Sequence, residues 1–96
     1  MLIYRPHRGG LAGAMKEAKT FNSFEDIKNY VVNEWNNLWG YHILNTDDIV
    51  LDEESYDDDR IGWKDVHYLC AKKIGDEDYI KEYGCPQCIG FVGWIE

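Results

Sequence analysis

At 96 residues, with hydrophobic residues at 45% and charged residues at 29%, the chain has the composition of one globular domain, 1–96, and not of a disordered segment. A net charge of −8 disfavours direct binding to nucleic acid or to anionic membranes, and no run approaches the roughly 18 consecutive apolar residues of a membrane span. Three cysteines, an odd number, fit reduced thiols in a cytoplasmic setting better than an extracellular disulfide framework.

The first element in the chain is the short apolar run MLIYRP, expected as an edge strand that ends at Pro6 and the Gly9-Gly10 pair. The opening MLIYRPHRGG has no apolar core and no cleavage-like site, so no signal peptide is expected. In LAGAMKEAK, Leu11, Met15 and Ala18 share a helical face, although Gly13 weakens the helix and TFNS ends it. The strongest pattern is SFEDIKNYVVNEWNNLWG. Ser23 is a helix N-cap, and Phe24, Ile27, Val31, Trp35 and Leu38 form one stripe over four turns. Glu25 and Asp26 suit the positive end of the helix dipole, and Gly40 provides a stop.

The second half reads as strands. In DIVLDEES, Ile49 and Leu51 share one face and Val50 takes the other. GWKDVHYLCAKK alternates: Val66, Tyr68 and Cys70 against Asp65, His67, Leu69 and Ala71. DEDYIKEYG reads as one or two helical turns ending at Gly84. CIGFVGWI reads as a terminal strand, with Ile89, Phe91 and Ile95 against Val92 and Trp94, and so as a central or covered one. The expected fold is α+β: N-terminal helices packed on a small, mostly antiparallel three-stranded sheet.

Charge is unevenly placed. Residues 1–23 carry +3, which leaves −11 on residues 24–96. Between Asp47 and Asp59, eight of thirteen positions are acidic and none is Lys or Arg. Such a run is often a solvated loop, but it also attracts a basic protein, including a groove that normally holds DNA or RNA. Tyr56 and Trp63 flank Asp57, Asp58 and Asp59, so SYDDDRIGW pairs charges with aromatic anchors and is the candidate partner-contact segment. Arg60 could instead fold that loop by pairing with an aspartate. The four Trp, seven Tyr and three Phe exceed what so small a core readily hides. Most are expected in the core, and the rest are available for contact.

YGCPQCIGF carries a C-x-x-C at Cys85 and Cys88. A redox couple would open a helix, whereas the residues after Cys88 read as a strand. A zinc site would need His67 and Cys70 as the second pair, but residues three apart on a strand point to opposite faces. The favoured reading is three thiols packed as small hydrophobes, with no cofactor; zinc at 85–88 is the alternative. RPHRGG, with Arg5, His7 and Arg8 ahead of a helix start, is a weak anion-binding candidate. DEESYDDDRIGW lacks the glycine and glutamate of a calcium loop, and no metalloprotease, hydrolase or Walker motif occurs.

The phrases MLIYRPHRGGLAGAMKEAKTFNSFEDIKNYV, DDDRIGW and YGCPQCIGF resemble small uncharacterised proteins of phages and other mobile elements of Gram-positive bacteria. The resemblance implies a bacterial cytoplasm and a gene that moves between hosts, and it carries no functional residue. The expected function is that of a non-enzymatic protein that binds a host protein with a basic surface. One such role is an anti-defence inhibitor presenting carboxylates where nucleic-acid phosphates would sit.

Overall fold

The computed structural model describes residues 1–7, 14–38 and 43–95. The strands are β1 (Leu2–Pro6), β2 (Lys19–Phe21), β3 (Ile49–Leu51), β4 (Tyr56–Asp58), β5 (Trp63–Ala71), β6 (Lys73–Ile74), β7 (Glu77–Asp78) and β8 (Gln87–Trp94). The helices are α1 (Phe24–Leu38) and the short α2 (Tyr79–Tyr83), with a 3-10 turn at Thr46–Asp48.

The expectation of helices on a three-stranded sheet is overturned. The main sheet has six strands, with β2-β1-β8-β5-β3 in line and β4 also paired to β5. Every pairing is antiparallel. β3 and β4 share one edge of β5: β3 along Leu69–Ala71, and β4 near Trp63 and Val66. Four strands escaped the sequence pattern because they are only two or three residues long and mostly polar: β2 within the presumed helix break, β4 within the acidic run, and β6 and β7, which form a separate hairpin. β1 is no edge strand either, since it pairs with β2 on one side and β8 on the other. Residues 14–16 are helical, while 11–13 of the expected first helix lie outside the described residues. So do Arg8, Gly9 and Gly10 of the anion-loop candidate, and Gly40.

α1 forms where the periodicity places it. The Ser23 hydroxyl accepts from the Asp26 N–H at 3.2 Å, capping the first turn. Ile27 and Val31 are buried against the sheet, each contributing roughly 1.5–3 kcal/mol of apolar burial. The stripe runs out at Leu38, which is exposed. This helix-covered face carries the larger core, with Tyr4, Leu44, Ile49, Leu69, Ala71, Ile89 and Val92.

Two bulges decide which side chains reach which face. Opposite Gly93, β5 carries both Asp65 and Val66; opposite the Leu69-Cys70 step, β8 carries the extra Ile89. Asp65 takes the left-handed conformation at φ 51°. The first bulge lets Trp63 and Val66 share the sheet's other face, with Ile3, Met15, Ile61 and Phe91. The second puts Ile89 and Val92 in the same core, although strict alternation would separate them. At Gly90 a Cβ would lie 2.5 Å from Tyr4 Cε2 and 2.7 Å from the Arg5 carbonyl, so β1 and β8 approach here only because the residue is glycine.

Candidate interaction surface

The acidic run separates into two chemically different parts. Asp57, Asp58 and Asp59 build the β4-β5 hairpin. The Asp57 carboxylate accepts from the Asp65 N–H at 3.0 Å and so caps the left-handed bulge. Asp58 is buried, and both of its oxygens accept from Arg60: Nε to Oδ1 and Nη2 to Oδ2, each at 3.0 Å. That fork is the strong geometry of a guanidinium on a carboxylate. Hydrogen bonding from Arg60, reinforced by its charge and that of Arg5, holds the Asp58 carboxyl below the usual carboxylate range. Lys64 Nζ lies 3.2 Å from Asp59 and 4.0 Å from Asp57.

Beneath this hairpin sits Arg5, buried on the second face. Its guanidinium carbon lies 4.9 Å from the Trp63 ring centroid and 4.5 Å from that of Phe91. Nη2 is 4.0 Å from Asp58, and Nη1 donates to Met15 Sδ at 3.9 Å. A buried charge needs such compensation, and two aromatic faces with one carboxylate provide it. Arg5 is therefore engaged inside the protein, which removes it from the anion-loop candidate.

The contact segment expected from the sequence is corrected accordingly. Trp63, at 2% exposure, is a core residue under Arg5 and cannot anchor a partner. Asp58, at 3%, is held by two arginines and is equally inaccessible. Of the five candidate contact residues, only Tyr56, Asp57 and Asp59 reach the surface, and both aspartates already have a lysine beside them. In sequence, Arg60 directly after the three aspartates was the signal for this internal pairing.

Asp52, Glu53 and Glu54, on the β3-β4 connection, behave differently. All three are exposed, and none forms an ion pair among the described residues. The backbone fixes their position: the Asp52 N–H donates to the Tyr68 carbonyl at 2.9 Å, and His67 Nδ1 lies 2.7 Å from the Asp52 carbonyl. Because a carbonyl only accepts, Nδ1 is the donor in that contact. Asp47, Asp76, Glu77, Asp78 and Glu82 are exposed too. Of these, Asp78 caps α2 by accepting from the Lys81 N–H at 3.1 Å.

Next to Asp52 and Glu53 the second face opens into a groove of about 410 Å³, lined also by Val50, Leu51, Tyr68, Cys70, Pro86 and the two C-x-x-C cysteines. Cys70 and Cys88 are direct partners across β5 and β8, and Cys85 sits exposed at the mouth. Burial, followed by the nearby Cys88, Asp52 and Cys85, pushes the Cys70 thiol up to about 11. Burial also raises Cys88. Thiols that resist ionisation are poor nucleophiles and poor metal ligands at neutral pH. Cys88 lies within β8, so the C-x-x-C leads into a strand and not into a helix. His67 lies on the face opposite Cys70, as strand alternation requires. Among the described residues, no group of three or more His, Cys, Asp or Glu is placed to hold a metal ion.

Tyr68 lines the groove and is 41% exposed, with its cross-strand neighbour Phe91 tilted against it at 48° and 5.1 Å between ring centroids. The sequence missed Tyr68 because it reads as one more position in an alternating strand. Only the pairing of Asp52 to Tyr68 shows that it adjoins unpaired carboxylates. No helix among the described residues is long and apolar enough to cross a membrane. Comparison with known proteins finds no family model, no curated protein and no solved structure that matches this chain.

Proposed function

We propose that this chain is a non-enzymatic binding protein that occupies a basic surface on another protein, of the kind that holds nucleic-acid phosphates. The observation that carries the reading is the division of the acidic run. The carboxylates at 57–59 are neutralised within the fold by Arg5, Arg60 and Lys64, whereas those at 52–54 are exposed and form no ion pair among the described residues. Unpaired, pre-positioned carboxylates attract a cationic partner over roughly a Debye length, about 8–10 Å at ordinary ionic strength, and speed encounter. The same charge repels nucleic acid itself, so the partner is a protein and not DNA or RNA. The resemblance to mobile-element proteins makes a host nuclease, blocked by a surface that competes with its DNA, the favoured class of target.

The test is protection of duplex DNA from a panel of purified nucleases of Gram-positive bacteria, at 50 and 300 mM salt. The reading predicts inhibition of at least one nuclease that weakens at the higher salt and is lost in the triple reversal Asp52→Lys, Glu53→Lys, Glu54→Lys. The absence of inhibition across the panel, or inhibition indifferent to that reversal, overturns it.

A further inference from the structure

We propose that the groove between the β3-β4 connection and the Cys85-Pro86 turn is where the partner is gripped, and that it receives an arginine on an extended segment of that partner. This inference rests on the acidic-surface reading and names its central contact. The groove holds about 410 Å³, room for one long side chain and a neighbour. Its lining combines the less exposed apolar side chains Val50, Pro86 and Cys70 with the exposed carboxylates Asp52 and Glu53. That distribution matches a side chain with an aliphatic stem and a cationic head.

Arginine fits better than lysine for two reasons. The exposed Tyr68 ring, held at one side by the tilted Phe91 ring, offers a flat face on which a guanidinium stacks. Asp52 and Glu53 are adjacent carboxylates that form no ion pair among the described residues, and a guanidinium presents a planar fork of donors to such groups. The molecule already uses this arrangement: Arg5 lies between two aromatic rings with Asp58 beside it. The groove offers the same combination of aromatic face and carboxylate on the outside, with the cation still to come. Contact with Phe91 already restricts the Tyr68 ring before binding, which reduces the side-chain entropy lost on contact.

The experiment is an NMR titration of the full chain at 50 mM salt with a blocked pentapeptide alternating arginine and valine. Counterparts carry lysine or citrulline in place of arginine. The expected result is saturable shifts centred on the amides of Val50, Tyr68, Cys70 and Cys88, with arginine bound about fivefold or more tightly than lysine and citrulline not bound. Exchanging Asp52→Asn with Glu53→Gln, at exposed positions that leave the fold intact, should weaken binding about tenfold. Tyr68→Ala should remove the preference for arginine over lysine.

Shifts spread over the carboxylates at 47, 52–54 and 76–78, equal for arginine and lysine and absent from the groove, overturn the groove while leaving the acidic-surface reading intact. No binding of any cationic peptide at millimolar concentration overturns both. Concentration-dependent self-association that shifts the same groove amides without peptide also overturns the proposal, because a second copy then fills the site.

Discussion

Trp63→Phe distinguishes a core role for this residue from the contact role that its place beside three aspartates suggests. The indole is 2% exposed and lies under the Arg5 guanidinium at 4.9 Å. It also packs against β8, where a Cβ on Gly93 would come within 3.2 Å of Trp63 Cε3. Truncating a buried tryptophan to alanine costs about 3–5 kcal/mol, and retaining one ring keeps more than half of that, leaving ~1–2 kcal/mol lost. The smaller ring also weakens the cation–π contact, by ~0.5–1 kcal/mol. The combined loss is about 2 kcal/mol. In a domain of this size each kcal/mol lowers Tm by ~4–8 °C, so Trp63→Phe should melt roughly 8–16 °C lower. The assay is thermal unfolding followed by far-UV circular dichroism, paired with binding to the cationic peptide well below the variant's Tm. Peptide affinity should stay within about twofold of wild type, as for any site remote from the contact. An unchanged Tm together with a large loss of affinity would place Trp63 on the binding surface and refute the reasoning.

The remaining predictions concern the buried charge, the thiols and one close backbone approach. Asp58 has a lowered folded-state pKa, so its stabilisation is complete above the ordinary carboxylate value of about 4 and is lost as pH falls through the lowered value. Asp58→Asn should therefore lower Tm at pH 7 and flatten the acid limb of the stability–pH curve, and an acid limb identical to wild type would contradict the network. Cys70 has a raised folded-state pKa, so stability is full below the ordinary thiol value of 9.0 and falls as pH rises toward about 11. Denaturant unfolding of Cys70→Ala should lack that alkaline decline. In the wild type, mass spectrometry after brief iodoacetamide treatment should find Cys85 labelled before Cys88 and Cys70 last, the order of their exposure. Gly90→Ala forces a Cβ against the Arg5 carbonyl, a backbone atom that cannot turn aside. It should destabilise by about 1–3 kcal/mol in denaturant unfolding.

How much of this was legible in the sequence depended on element length. α1 could be read because its apolar stripe spans four turns and starts at a capping serine, and the structure keeps the cap and packs the stripe on the core as far as Trp35. β5 and β8 could be read because alternation persists over nine and eight residues. Their face assignment was right except where bulges intervene, at Asp65 and Ile89, and a bulge shifts the pattern by one without leaving a mark in composition. The short turn of α2 was legible from Gly84, which takes the left-handed conformation at φ 77°. β2, β4 and the β6-β7 hairpin were not legible, since two or three mostly polar residues carry no period; β2 and β4, with β1 paired on both sides, turned the expected three-stranded sheet into six strands, and β6-β7 forms a separate hairpin.

The site followed the same logic. The acidic run was visible as charge, but its division into structural and free carboxylates depends on which cations the fold delivers to it. Arg5 is more than fifty positions from Asp58 and reaches it only through the β1-β8-β5 pairing. Arg60 was near enough in sequence to suggest internal pairing, and the structure places it there.

The most direct test compares two neutralised variants side by side: Asp52→Asn, Glu53→Gln, Glu54→Gln, and Asp57→Asn, Asp58→Asn, Asp59→Asn. Each is measured for Tm and for affinity toward the arginine-valine peptide at 50 mM salt. The account predicts that the first keeps its Tm to within a few degrees, about 0.5 kcal/mol, and loses binding. The second should melt far lower, and the fraction still folded should bind as wild type does. Stable folding of the second variant with its binding abolished, while the first binds normally, would contradict the account.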